Sequence, residues 1–285
     1  MGEHLEFVLV GVSSKPSDLS KLIDRKVSLG LAQTSRKYAG AAGLGSSGVV
    51  YLGVNVEFPG LSLDYSIHAE QFVVANLALH SEKRLLFLAM SHDGSTCDAP
   101  CHRCRNLLQE TRDPETKIVI KNPSRKYHGY VELVSLLEPR FVLGDTSLLH
   151  EPKHNGLTLL EPEICQDSDA CSHLKCRALA AANKSCAPYS DCPSGVALKD
   201  RDGKVYRGWY MESGACEASL MPIQTAVVDF VVSCAGRQMF DNIVEAVLVE
   251  KKDARVSQVE TTKTILKALV GHPNCVLKVF HFRKP

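Results

Sequence analysis

The 285-residue chain has no dominant charge: 33 Lys and Arg against 32 Asp and Glu leave a net charge of +1. Nucleic-acid binders usually carry a basic excess or a basic stripe, so no nucleic-acid partner is expected. The one local basic run, 121–126 with Lys121, Arg125 and Lys126, is short and reads as a solvated loop. Aromatic residues are scarce at 6%, which argues against an aromatic-lined channel for a single strand. No apolar run approaches the ~18–20 residues of a membrane span, so no membrane partner is expected. Residues 1–12 carry Glu3, His4 and Glu6 without a basic stretch, unlike a secretory signal. A cytoplasmic location is the expectation. The 11 cysteines are odd in number and scattered, which suggests reduced thiols and a metal site before a disulfide frame.

What the chain does contain is ordinary for a globular protein: 45% apolar and 23% charged residues. Its length suits two domains of roughly 140 residues. Residues 49–54 (VVYLGV) and 85–90 (LLFLAM) read as strands, and 67–80 as a helix between them. A second helix, 101–110, opens after Pro100, and 117–120 is a third strand. The order β-α-β-α-β implies parallel crossovers and an α/β sheet covered by helices. One or two helices are expected over 17–31. Pro139, Gly144, Pro152, Gly156 and Pro162 break the pattern over 138–163, which reads as a linker or extended wrapping segment.

A similar order then returns. Helix 174–182, strands 195–198 and 205–211 around the Asp202-Gly203 turn, helix 220–234, strand 243–249, helix 261–270 and strand 275–280 follow one another. The offset from the first half is about 153 residues, which means a duplicated domain. The expected division is a first domain over 1–137, the linker over 138–163 and a second copy over 164–285.

Two short motifs carry chemistry: His68-Ala69-Glu70 and Pro100-Cys101-His102-Arg103-Cys104. Cys101 and Cys104 stand i and i+3 on one helix face, so both sulfurs can reach one ion. At a helix start the partial positive charge favours thiolates, the form that binds zinc. His68 opens the other helix, and both helix starts fall at the same end of the sheet, where α/β folds place ligands. Three protein donors with one open position is the pattern of catalytic zinc, one ion per chain. Glu70 is free to act as a proton-transferring base beside a zinc-bound water.

His-x-Glu followed by Pro-Cys-x-x-Cys is the signature of the zinc deaminases. With Gly53-Val54-Asn55-Val56-Glu57-Phe58, Ala99 and Cys104-Arg105, the chain resembles the two-domain cytidine deaminases of bacteria and plants. The runs Gly43-Leu44-Gly45-Ser46-Ser47-Gly48 and Asn55-Val56-Glu57-Phe58-Pro59 look plant-like. The resemblance extends to Ala187-Pro188-Tyr189-Ser190 and to Pro193-Ser194-Gly195-Val196-Ala197-Leu198 in the second half. It implies a duplicated three-layer α-β-α deaminase fold, a homodimer, and hydrolytic deamination of cytidine and 2′-deoxycytidine in pyrimidine salvage. It further implies that Asn55 and Glu57 hold the ribose hydroxyls and that the Ala69 N–H binds the base carbonyl. Glu70 would protonate N3 and then the leaving amine, and the Ala99 carbonyl would accept from that amine. A zinc hydroxide would attack C4, and Tyr38 would stand in for the usual aromatic over the base.

The second half departs from this pattern: Met221 stands opposite His68 and Ile223 opposite Glu70, and 250–256 (EKKDARV) replaces the cysteine motif. It reads as structural and dimer-forming. In the first half His102 stands where the family has glycine and Asn106 where it has glutamine. Gly214-Ala215-Cys216 replaces an aromatic-bearing loop that in relatives reaches the neighbouring subunit's site. These departures keep open a low-activity nucleoside-binding protein, and a nucleic-acid cytosine deaminase is the other alternative. Cys165, Cys171, Cys176, Cys186 and Cys192 with His173 have irregular spacings and read as free thiols before a second zinc site.

Overall fold

A computed structural model describes residues 7–11, 15–24, 30–92, 99–113, 115–121, 128–137, 147–149, 154–160, 173–234, 240–271 and 275–283. The chain divides into two compact units. Unit 1 comprises Met1–Glu151 together with Ser213–Ala218, and unit 2 comprises Pro152–Glu212 and Ser219–Pro285.

In unit 1 the elements are β1 (Val8–Leu9), α1 (Pro16–Asp24), β2 (Ala39–Gly45), β3 (Val50–Val54), α2 (Ala69–Leu79), β4 (Leu85–His92), α3 (His102–Gln109), β5 (Lys117–Lys121) and β6 (His128–Glu132). Their sheet order is β1-β3-β2-β4-β5-β6. Strand β2 runs antiparallel to both β3 and β4, and β4 runs parallel to β5. Strands β3, β4 and β5 are therefore all parallel, as the β-α-β-α-β order implies. In unit 2 the elements are β7 (Thr158–Leu159), α4 (Leu174–Lys184), β8 (Ser194–Asp200), β9 (Val205–Trp209), α5 (Pro222–Ser233), β10 (Ile243–Lys251), α6 (Val259–Leu269) and β11 (Val276–Arg283). Their order is β7-β11-β10-β8-β9.

The two sheets share one topology, since β3-β2-β4-β5 corresponds to β9-β8-β10-β11. The match extends to single residues. Val56 bridges Leu31 and Ile67, and Met211 bridges Cys186 and Leu220. Gly53 on β3 lies so close to α2 that a Cβ would stand 2.3 Å from the Ala69 carbonyl oxygen. Gly208 repeats this on β9, where a Cβ would meet the Pro222 carbonyl oxygen at 2.3 Å. In both units the helix presses onto the sheet where only a residue without a side chain fits.

Four strands are additions to the sequence reading. β1 and β7 are two-residue edge pairings, β7 lying within the 138–163 segment. β6 closes the sheet beyond β5. β2 (AGAAGLG) has almost no β-branched or aromatic residues, yet every position is buried. Small residues serve there because helices cover the sheet closely, so burial and not strand propensity makes the strand. Helix α1 fills part of 17–31, and the remainder lies outside the described residues. No helix among the described residues is long and apolar enough to cross a membrane.

Candidate metal centre and active site

The first site residue is set by a helix start. His68 is the N-cap of α2, extended at φ −74° and ψ 155°, so its ring leaves the helix axis. Gln71, wholly buried at the third helical position, accepts the His68 N–H at 3.0 Å. The bridge between Val56 and Ile67 brings the end of β3, with Asn55 and Glu57, beside this helix start.

Cys101 is the N-cap of α3, and Cys104 lies in its first turn. The His68 Nδ1 atom is 3.5 Å from the Cys101 sulfur and 3.4 Å from the Cys104 sulfur. The three donor atoms lie within 4.8 Å of one another. No other such cluster of His, Cys, Asp and Glu occurs among the described residues. One imidazole and two thiols at this spacing fit a soft tetrahedral ion with one position left over. Their ionisation agrees. A hydrogen bond from Cys104 pulls the exposed Cys101 thiol down to about 3. Cys104 is pushed well up, first by the proton it shares with Cys101 and then by burial. Metal binding calls for both sulfurs as thiolates, so it would be coupled to proton release.

Glu70 projects from the first turn of α2 and is buried. Removal from water raises its pKa above the usual carboxylate range, against the lowering effects of its own backbone N–H and of His68. Arg103, between the two cysteines, donates to the Asp64 carbonyl at 3.1 Å and so ties α3 to the turn ahead of His68. Arg105 Nε donates to the Pro100 carbonyl at 2.7 Å and steadies the 99–101 segment. His102 and Asn106, singled out in the sequence as departures, contact each other at 3.4 Å. The two changes form one pair on the outer face of α3.

The residues expected to line the pocket are held by contacts of their own. The Asn55 side chain accepts from Ala39 N at 2.9 Å and donates to the Lys37 carbonyl at 2.9 Å. It thereby spans Tyr38, whose ring is 40% exposed. Glu57 is buried and accepts from Thr34 N at 3.0 Å, Ser35 N at 2.9 Å and the Ser35 hydroxyl. Unit 2 repeats this clamp: Glu212 accepts from Tyr189 N at 2.8 Å and Ser190 N at 3.0 Å. The shared duty of Glu57 and Glu212 is to hold a loop. Ala69 is the first residue of α2 and is buried, and Ala99 is half-buried.

Among the described residues, unit 2 has no donor set at the matching place. Met221 is the N-cap of α5, and Gln224 accepts its N–H at 2.8 Å, as Gln71 does for His68. At the start of α6 the backbone is met by a carboxylate from the end of β10. Glu250 accepts from Gln258 N at 2.7 Å and from the Ser257 hydroxyl at 2.8 Å. Cys176, Cys186 and Cys192 are buried and in no disulfide, and Cys165, Cys171 and Cys97 lie outside the described residues. The reading of residues missed the role of Gln71 and the buried Glu110 at the end of α3, and it singled out only residues 214–216 of the strap Ser213–Ala218. The strap belongs to the same compact unit as the donors of its own chain, whereas the resemblance sends this loop to a neighbouring subunit. The recurrence of glutamine three residues after His68 and Met221 was the available signal for the first.

A metal centre of one histidine and two cysteines on two helix starts, beside a buried glutamate, defines the zinc-dependent deaminase class. Comparison agrees. Residues 18–120 and 133–263 each match the family described as "Cytidine and deoxycytidylate deaminase zinc-binding region". The chain belongs to the cytidine deaminase family. It is 52% identical to "Cytidine deaminase 6" of Arabidopsis thaliana, over 94% of this chain and 93% of the relative. It is 51% identical to "Cytidine deaminase 7" of the same plant, over 94% and 89%. "Probable inactive cytidine deaminase 4" of that plant is 42% identical over 100% and 98%. Membership therefore leaves activity to be argued from the site itself. Zinc fits the three donors, in keeping with a family described by its zinc-binding region.

Proposed function

We propose that the chain deaminates cytidine and 2′-deoxycytidine hydrolytically to uridine and 2′-deoxyuridine, with unit 1 catalytic and unit 2 not. The observation that carries this reading is the buried Glu70 beside the triangle of His68, Cys101 and Cys104. A purely structural zinc site has no use for a desolvated carboxyl group there. His68, Cys101 and Cys104 would hold one zinc ion, which supplies a Lewis acid that makes water nucleophilic near neutral pH.

The chain's own groups do the rest. The Ala69 N–H is among the first amides of α2, which have no carbonyl partner within the helix, and it is suited to bind the base carbonyl. Glu70 takes one proton from the attacking water and delivers it to N3 of the base, then takes the other from the hydroxyl group added at C4 and delivers it to the departing amine, which leaves as ammonia. The Ala99 carbonyl accepts from that amine and orients it. A carboxylate offers about four acceptor sites, of which Glu57 uses three on its loop, so one remains for a ribose hydroxyl. The second amide hydrogen of Asn55 can meet the same sugar. Tyr38, flanked by the two groups that Asn55 grips, would cover the base.

Pyrimidine salvage in the cytoplasm as a homodimer suits this chemistry and the lack of a dominant basic charge. The test is loss of cytidine absorbance with stoichiometric ammonia release by the zinc-loaded protein. No turnover of cytidine or deoxycytidine would overturn the proposal.

A further inference from the structure

The strap Ser213–Ala218 touches both helices that carry the metal donors. At one end the Ala218 carbonyl accepts from Gln71 Nε2 at 3.2 Å. The other end of that buried amide accepts the N–H of His68 at 3.0 Å. The Gln71–His68 cap recurs at Gln224–Met221 without a metal, so the cap alone is a device of the fold. The link from cap to strap joins it to the donor triangle.

At its other end the strap meets α3. The Glu110 carboxylate accepts from Gly214 N at 2.8 Å and from the Ser213 hydroxyl at 3.2 Å. Glu110 is the C-cap of α3, the helix whose first turn bears Cys101 and Cys104. A carboxylate at a helix C-terminus opposes the helix dipole. This one is also only 2% exposed, so it depends on the donors it meets. The strap is held in a costly shape as well. Cys216 adopts a left-handed φ of 36°, a conformation that persists only where the surroundings enforce it.

We propose that this strap clamps α2 to α3, and that Glu110 and Gln71 are positioning residues which hold His68 at the right distance from Cys101 and Cys104. The inference rests on reading those three residues as the zinc ligands. It makes a segment from within the second repeat part of the first repeat's metal site.

The test compares zinc-loaded wild type with Glu110→Ala, Glu110→Gln and Ser213→Ala. Three quantities are read: the rate of zinc release to a chromophoric chelator, the thiolate charge-transfer spectrum of the cobalt form, and the melting temperature. Outer partners of metal ligands typically change metal affinity ~10–100-fold, and Glu110→Ala is expected to speed zinc release within that range and shift the cobalt bands. Glu110→Gln keeps an acceptor oxygen and is expected to restore most of both. Ser213→Ala removes one donor and should give a smaller acceleration, which keeps the idea testable if Glu110→Ala does not fold. A lower melting temperature with zinc release and cobalt spectrum unchanged would overturn the clamp. Wild type that holds no zinc would instead overturn the ligand assignment on which it rests.

Discussion

Glu70 answers to two opposed demands. The proposed chemistry needs a carboxyl group that gains and loses a proton near the reacting base, and burial makes its charged form costly. Glu70→Gln keeps the shape and removes the proton exchange. A proton-transfer group typically contributes ~10²–10⁴-fold, so kcat should fall by at least that much while zinc, counted by atomic absorption, stays at one per chain. Stability should move the other way in zinc-stripped protein. The folded pKa of Glu70 is raised, so its contribution to stability is fully present below the ordinary pKa of 4.5. That contribution is lost as pH rises through the raised value. The melting temperature of stripped Glu70→Gln relative to stripped wild type should therefore be higher at pH 8 than at pH 5. A difference independent of pH would show that burial does not perturb Glu70.

At the scale of elements, the two repeats solve one problem differently. Each needs the helix after the central parallel strand fixed at its start. In unit 1 that start carries Cys101 and Cys104, and in unit 2 it is capped by Glu250 through Gln258 N and the Ser257 hydroxyl. A charged cap of this kind also suits the positive end of the helix. Hydrogen bonds to a charged group contribute ~1.5–3 kcal/mol each, so Glu250→Ala should destabilise unit 2 by at least about that much, with or without chelator. Denaturant unfolding in EDTA and in zinc checks this. Gly53 gives the companion prediction for unit 1. A Cβ there would meet the Ala69 carbonyl at 2.3 Å, a backbone atom that cannot turn aside. Gly53→Ala should cost ~1–3 kcal/mol as an overpacked contact and, by moving α2, weaken zinc binding as well. A melting curve together with a chelator titration separates the two effects.

The molecule as a whole was legible in its sequence wherever chemistry or apolar period left a mark. The β-α-β-α-β order, the duplication and the donors His68, Cys101 and Cys104 all could be read from residue type and spacing. Strand β2 could not, because its alanines and glycines become a strand only when α1 and α2 cover them. The strap could not either, since nothing in Ser213-Gly214-Ala215-Cys216 announces that it belongs with residues a hundred positions earlier. That pairing was set by tertiary hydrogen bonds to Glu110 and Gln71. It leads to a prediction about which parts of the chain respond together. If one repeat depends on a metal and the other on a carboxylate, zinc removal should loosen the first selectively. Hydrogen exchange after chelation should then quicken in the first turns of α2 and α3 and change little at the start of α6. The decisive amide is that of Gly214. It is flanked in sequence by unit 2, yet it donates to Glu110 in unit 1. Local opening is set by such contacts and not by position along the chain. Its exchange should quicken with α3 on zinc removal, while the amide of Gln258, bonded to Glu250, keeps its protection. Gly214 exchange that follows Gln258 instead would place the strap with the second repeat and separate it from the metal site.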